Sequence, residues 1–164
     1  FMKDEVKISS TKIRNSLQIG DIEEALKYLG SPFELTGKVI KGDQIGNTIS
    51  YPTANIHLLE DYKLIPSNGV YAVKVRVDGS EYSGMLNIGH RPTINDQGEK
   101  RIEVNIFDFN KDIYGQTLTL KFVKLIRSEK TFTNLDELKI QLKKDENKCH
   151  VILGDFSYPS NKKY

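Results

Sequence analysis

The sequence predicts a mainly β fold: a six-stranded antiparallel, Greek-key-like barrel with a C-terminal α-helix and a short N-terminal helical linker. Three observations predict it. Six segments from Phe33 to Ile126 carry strand-like apolar patterns. Gly, Pro or Asn punctuates the gaps between them, including the hairpin signal Asp78-Gly79. Helical spacing is confined to the two ends of the chain. Short strands with turn signals between them argue for a closed or nearly closed barrel, which leaves no unpaired edge.

Taken in order, Ser10 or Thr11 caps a short helix running to Leu17. Gly20-Asp21 restarts a second helix, with Ile22, Ala25, Leu26 and Leu29 at helical spacing, and Gly30-Ser31-Pro32 ends it. These helices carry too little apolar surface for a core of their own, so residues 1–32 read as a linker or the docking remnant of a neighbour. The strands are expected at Phe33–Ile40, Thr53–Leu58, Val70–Val77, Tyr82–Ile88, Arg101–Phe107 and Thr117–Ile126. In the third, Tyr71, Val73, Val75 and Val77 share one face, with Lys74 and Arg76 on the other. Thr133 is expected to cap the last helix, whose stripe of Leu135, Leu138 and Leu142 runs to about Lys148. The expected organisation is a linker over 1–32, a barrel with its helix over 33–150, and a tail over 151–164.

Composition bounds the function. The 164 residues are 38% hydrophobic and 28% charged, as in ordinary globular domains. With 24 basic and 22 acidic residues the net charge of +2 argues against a nucleic-acid surface. One cysteine, Cys149, excludes an internal disulfide framework and fits a reducing, cytoplasmic setting. No apolar run reaches membrane-spanning length, and the start lacks a signal-peptide pattern. Phe1 ahead of Met2 points to a piece of a longer protein. His57, His90 and His150 show no metal-ligand spacing.

The chemistry gathers in a few motifs. The stretch Gly37-Lys38-Val39-Ile40-Lys41-Gly42-Asp43-Gln44-Ile45-Gly46 runs from a strand into a glycine-punctuated loop, and Tyr51-Pro52-Thr53-Ala54-Asn55 returns to extended chain. Such glycines let backbone N–H groups approach an anion. Thr53 and Asn55, at i and i+2 on a strand, aim two hard oxygens to one side, as Mg²⁺ beside a phosphate requires. A plain hairpin turn fits the same residues. No Gly-Lys-Ser/Thr opens a helix, so this is not a P-loop. Arg101, Glu103 and Asn105 share the polar face of their strand. Glu103 is either a solvated surface group or, facing the phosphate site, a general base. Asn87-Ile88-Gly89-His90-Arg91-Pro92-Thr93 is a ligand-binding loop or an ordinary strand-ending turn. Arg127 near Phe132 reads as a salt bridge over a core aromatic, or as a grip on a phosphate or flat ring.

These motifs together resemble the riboflavin kinase (flavokinase) family. The matching residues are Gly37-x-Val39-x-x-Gly42-x-x-x-Gly46, Pro52-Thr53-Ala54-Asn55, Gly69-Val70-Tyr71, Asn87-Ile88-Gly89-x-Arg91-Pro92-Thr93, Glu103-x-Asn105-Ile106-x-Asp108, Asp112-Ile113-Tyr114-Gly115 and Arg127-x-Glu129-x-x-Phe132. They follow the family's order over roughly residues 33–148. Upstream, Ile8-Ser9-Ser10-Thr11-Lys12-Ile13-Arg14 is similar to the closing motif of the adenylyltransferase module in bacterial bifunctional FAD synthetases.

The resemblance implies transfer of the ATP γ-phosphate to the terminal ribityl hydroxyl of riboflavin, giving FMN and ADP. It implies Mg²⁺ and phosphates at Thr53 and Asn55, a phosphate loop including Gly42, Gly46, Asn47 and Thr48, and Glu103 as base. Asn105 and Tyr114 would help hold the adenine, and Arg127 and Phe132 would border the flavin. The implied partner is an N-terminal adenylyltransferase domain, without which no FAD synthesis is expected; the helices from Ser10 to Leu29 are then expected to be dispensable scaffolding for the barrel, so that removal of residues 1–20 should spare kinase activity. Between Gly46 and Pro52 the chain departs from the pattern by lacking a basic residue, which leaves Lys41 as the nearest cation. The competing reading is a non-catalytic flavin- or nucleotide-binding barrel.

Overall fold

Alternating apolar residues close into a barrel in the computed structural model, which describes residues 2–41, 51–60, 64–90 and 100–154. Two helices, α1 (Met2–Gln18) and α2 (Ile22–Leu29), precede the strands β1 (Glu34–Ile40), β2 (Ala54–Leu58), β3 (Gly69–Val77), β4 (Ser80–His90), β5 (Lys100–Ile106) and β6 (Thr117–Arg127). Helix α3 (Leu135–Gly154) follows. The barrel order is β1-β2-β5-β4-β3-β6, with every neighbouring pair antiparallel. The β2–β3 and β5–β6 connections each pass over two strands, as a Greek key requires. The expected mainly β barrel is therefore what forms, with each strand within a few residues of its expected bounds.

One set of alternating side chains fills the barrel. Leu35, Val39, Ile56, Tyr71, Val73, Leu86, Ile88, Ile102, Val104, Leu118, Leu120 and Phe122 belong to this core. Asp78 and Gly79, both at positive φ, make the tight β3–β4 turn with the twist of the strands it joins. The first half of β3 is buried on both faces, whereas Lys74 is half-buried and Arg76 exposed on its outer side. Val70, Ala72 and Met85 pack with Val123, Cys149 and Leu153 in a second core between the barrel wall and α3.

Three end features differ from expectation. Helix α1 begins at Met2 rather than near Ser10. Helix α3 continues past Lys148 to Gly154 because Cys149 and Leu153 extend its buried stripe. It is capped by Asn134, not Thr133: Asn134 Oδ1 accepts from Glu137 N at 2.9 Å, and Thr133 donates its hydroxyl to the Glu137 carboxylate at 2.8 Å. The N-terminal helices are also more than a tether. Leu17, Ile22 and Ala25 are buried in the barrel's own core, and Ser67 N donates to Leu17 O at 3.0 Å. Leu17 is thus part of the barrel's core, which weighs against a dispensable N-terminal segment.

Candidate active site

The site lies on the outer face of the barrel, where register sets one row of residues across five strands. Asn55 on β2 sits opposite Glu103 on β5, and Glu103 opposite Asn87 on β4. Asn87 is paired with Val70 on β3, and Val70 with Arg127 on β6. Alternation points Ile102 and Val104 into the barrel and so turns Glu103 outward. Arg127 reaches the same face for a different reason. The β3–β6 ladder slips between Val70 and Tyr71, so Ile126 and Arg127 both lie on the α3 side. A bulge of this kind re-aims a side chain without disturbing the rest of the strand.

A cavity of about 280 Å³ lies over this row. Val70, Met85 and Asn87 line its barrel side, and Phe132, Leu138 and Leu142 line the side of α3 and its leading segment. Thr53, Arg101, Glu103, Asn105, Arg127 and Glu129 supply the polar part of the wall. An apolar slot with a few converging polar groups is the usual form of a small-molecule site.

Within it, Arg101 Nε lies 2.5 Å from Glu103 Oε1 and donates to Asn55 Oδ1 at 3.3 Å. Glu103 is about one-fifth exposed, so it is held by a cation yet open to the cavity. Arg127 Cζ stands 5.7 Å from the centre of the Phe132 ring, with Lys130 Nζ at 5.8 Å. Glu129 rests against Gly89, where an added Cβ would come within 2.8 Å of its Oε1.

A second, more open groove of about 430 Å³ runs along the other side of β2. Lys41, Asn55, Phe109, Lys111, Asp112 and Tyr114 line it, and Lys41 Nζ lies 5.6 Å from the Tyr114 ring centre. Thr53 lines both the cavity and the groove. It therefore stands where a group passing from one to the other must go.

The structure thus brings Glu103, Thr53, Arg127 and Phe132 to one cavity, and Thr53, Asn55 and Tyr114 to the adjoining groove. Asn105 falls on the cavity side instead of beside Tyr114 and donates to Pro52 O at 2.7 Å, bracing the segment that carries Thr53. Gly42, Gly46, Asn47 and Thr48 lie outside the described residues.

Sequence reasoning missed Tyr51, Asp145 and Glu146. Tyr51 donates to Glu146 Oε2 at 2.9 Å. Burial first, and then this carboxylate, push its hydroxyl up to about 12, so it remains a donor at any ordinary pH. Asp145 is wholly buried against Arg127. Its signal was present in the sequence: Leu138, Leu142, Asp145 and Cys149 follow the spacing of one helix face, so a charge interrupts an apolar stripe.

For a divalent cation, Thr53 and Asn55 offer neutral oxygens only. Among the described residues no cluster of three or more His, Cys, Asp or Glu side chains could hold a metal. Such a donor set fits Mg²⁺ that arrives with phosphates, not a permanently caged ion.

Comparison with known proteins bears on the family and the fold. A bifunctional riboflavin kinase/FMN adenylyltransferase of Bacillus subtilis is 46% identical over 145 residues, covering 87% of this chain and 46% of that protein. The chain thus spans about half the length of the curated relatives it matches. A solved Streptococcus pneumoniae structure, described as a macrolide-efflux protein, superposes with a TM-score of 0.80 at 42% identity over 90% of this chain and 47% of that one. No helix among the described residues is long and apolar enough to cross a membrane. A riboflavin kinase from Trypanosoma brucei shares the fold, with a TM-score of 0.53 at 23% identity over 76% of this chain and 81% of that one. The Flavokinase family, described as riboflavin kinase, matches residues 29–153, and this chain belongs to it.

Proposed function

We propose that this chain is a riboflavin kinase module that transfers the ATP γ-phosphate to the terminal ribityl hydroxyl of riboflavin, yielding FMN and ADP. Beyond family membership, the observation that carries the reading is Thr53 on the shared wall of two clefts, with Glu103 in one of them. The cavity holds riboflavin, its ring bordered by Phe132 and Arg127. The groove holds the nucleotide, with Tyr114 and Lys41 towards the adenosine. The ribityl chain then ends beside Glu103 and the γ-phosphate beside Thr53.

Glu103 accepts the hydroxyl proton as the oxygen attacks phosphorus; the P–O bond to ADP breaks and ADP leaves with its electron pair. Arg101 holds the carboxylate in place and shares its charge with Asn55 through the same guanidinium nitrogen. Thr53 and Asn55 orient the phosphates. Mg²⁺ bound with the nucleotide would neutralise phosphate charge there. The segment upstream of residue 29 docks the barrel to an adenylyltransferase domain like that of the bifunctional relatives, in the cytoplasm. The division into linker, barrel with α3, and a tail belongs to the same reading.

The experiment is chromatography of riboflavin incubated with ATP, Mg²⁺ and the purified chain, beside its Glu103→Gln variant. FMN and ADP should form in equal amounts, and kcat of the variant should fall about 10²-fold or more with riboflavin and ADP binding retained. Flavin binding without any FMN would show a binding module instead, and near-normal turnover by Glu103→Gln would remove the base from Glu103.

A further inference from the structure

The least expected charge in the molecule is Asp145. Its side chain is 0% exposed, on the buried stripe of α3. Both carboxylate oxygens accept from Arg127 Nε, at 3.0 and 2.9 Å, and Oδ1 also accepts from Gln141 Nε2 at 2.9 Å. Replacing a buried ion pair by apolar residues is often neutral or stabilising, so stability alone is a poor account of this carboxylate. Its effect on Arg127 is directional. Nε is committed to Asp145 and Nη1 to Ser128 O at 3.2 Å, which leaves Nη2 without a partner among the described residues. The guanidinium is thereby fixed at the cavity wall, over the face of Phe132.

We infer that Asp145, steadied by Gln141, is a positioning residue of the kinase: it sets the orientation in which Arg127 meets the flavin. The inference rests on the riboflavin kinase reading of the same cavity. An arginine on a bulged strand end has many rotamers, and a carboxylate that grips Nε selects one before substrate arrives. The ordering cost is met on folding and not on binding. Asp145 touches neither cleft, so its influence must pass through Arg127. The nucleotide groove, with no contact to Arg127, should be insensitive to it.

The test varies riboflavin and ATP separately for the wild-type chain and Asp145→Asn, with riboflavin affinity also read by quenching of its fluorescence. Asparagine keeps the shape and one acceptor but loses the charge. KM and Kd for riboflavin should rise about 10-fold, as for the loss of one charge-assisted contact, while KM for ATP stays within about twofold. In an Arg127→Ala background the same substitution should leave riboflavin affinity unchanged, and Tm should not fall further because the substitution removes a buried charge that has lost its partner. Gln141→Leu, a milder change on the same helix face, should raise riboflavin KM by less and in the same sense; it carries the test if Asp145→Asn does not fold. Unchanged riboflavin KM in the folded variants, equal rises in both KM values, or an effect that survives in Arg127→Ala would overturn the inference. A wild-type chain that neither binds nor phosphorylates riboflavin would overturn the functional reading as well, and is told apart by needing no variant.

Discussion

At the scale of single residues, Thr53 is the sharpest test of how the two clefts meet. It is the one residue among the described ones that lines both the cavity and the groove. Thr53→Val keeps β-branching and volume and deletes the hydroxyl oxygen. The variant should fold normally yet bind ADP more weakly in the presence of Mg²⁺, by about 10-fold if the hydroxyl meets the charged phosphate–metal unit. Titration calorimetry with and without Mg²⁺ checks this; an unaltered affinity would take Thr53 out of the phosphate site. The residue types and spacing of Thr53, Asn55 and Glu103 were legible in the sequence because strand alternation fixes which side chains share a face. Arg127 was not legible in this way. A bulge at β6 breaks the alternation, and nothing in the local sequence announces the slip. Asn105 was placed with the adenine by resemblance, whereas its amide is occupied by Pro52 O on the cavity side.

At the scale of elements, the six strands could be read because strand-like apolar patterns are separated by turn residues. The helices were harder, for a physical reason. Residues 2–9 carry only Met2, Val6 and Ile8 as apolar side chains, too few to mark the first turns of α1 in the sequence. In α3 the stripe passes through Asp145 and Cys149, which masks its continuation to Gly154. The role of α1 and α2 was invisible because so few apolar residues suggest no core. They need none of their own when they complete another. Leu17→Ala should therefore destabilise the barrel by about 2–5 kcal/mol, the cost of a large-to-small change at a buried leucine. Urea denaturation followed by far-UV circular dichroism checks this. A cost below about 1 kcal/mol would restore α1 to the status of a tether.

At the scale of the whole molecule, Thr53 lies on the wall of two adjoining clefts, and the chain corresponds to about half of its bifunctional relatives. Phosphoryl transfer and adenylyl transfer each need their own positioned phosphate and acceptor. The purified 164-residue chain is accordingly expected to stop at FMN. Mass spectrometry of the products from riboflavin, excess ATP and Mg²⁺ decides it, and FAD accumulating in step with enzyme concentration would contradict the expectation. The family's overall architecture was legible from motif order alone, whereas the placement of the site outside the barrel, beneath α3, was not. Periodicity tells which face of a strand is polar, but not what packs over that face.

Two neighbouring residues of α3 hold opposite lips of the cavity: Asp145 grips Arg127 at the end of β6, and Glu146 grips Tyr51 two residues before Thr53. The helix thus braces two walls of one cavity, and the Tyr51 wall runs on to Thr53. If the helix couples the two proposed sites, thermodynamic reciprocity requires FMN to change the affinity for ADP by the same factor as ADP changes that for FMN. Tyr51→Phe, which keeps the ring and cuts the latch, should bring that factor towards one while sparing each affinity measured alone. Equal coupling in both proteins would mean that the two clefts communicate through Thr53 without help from the helix.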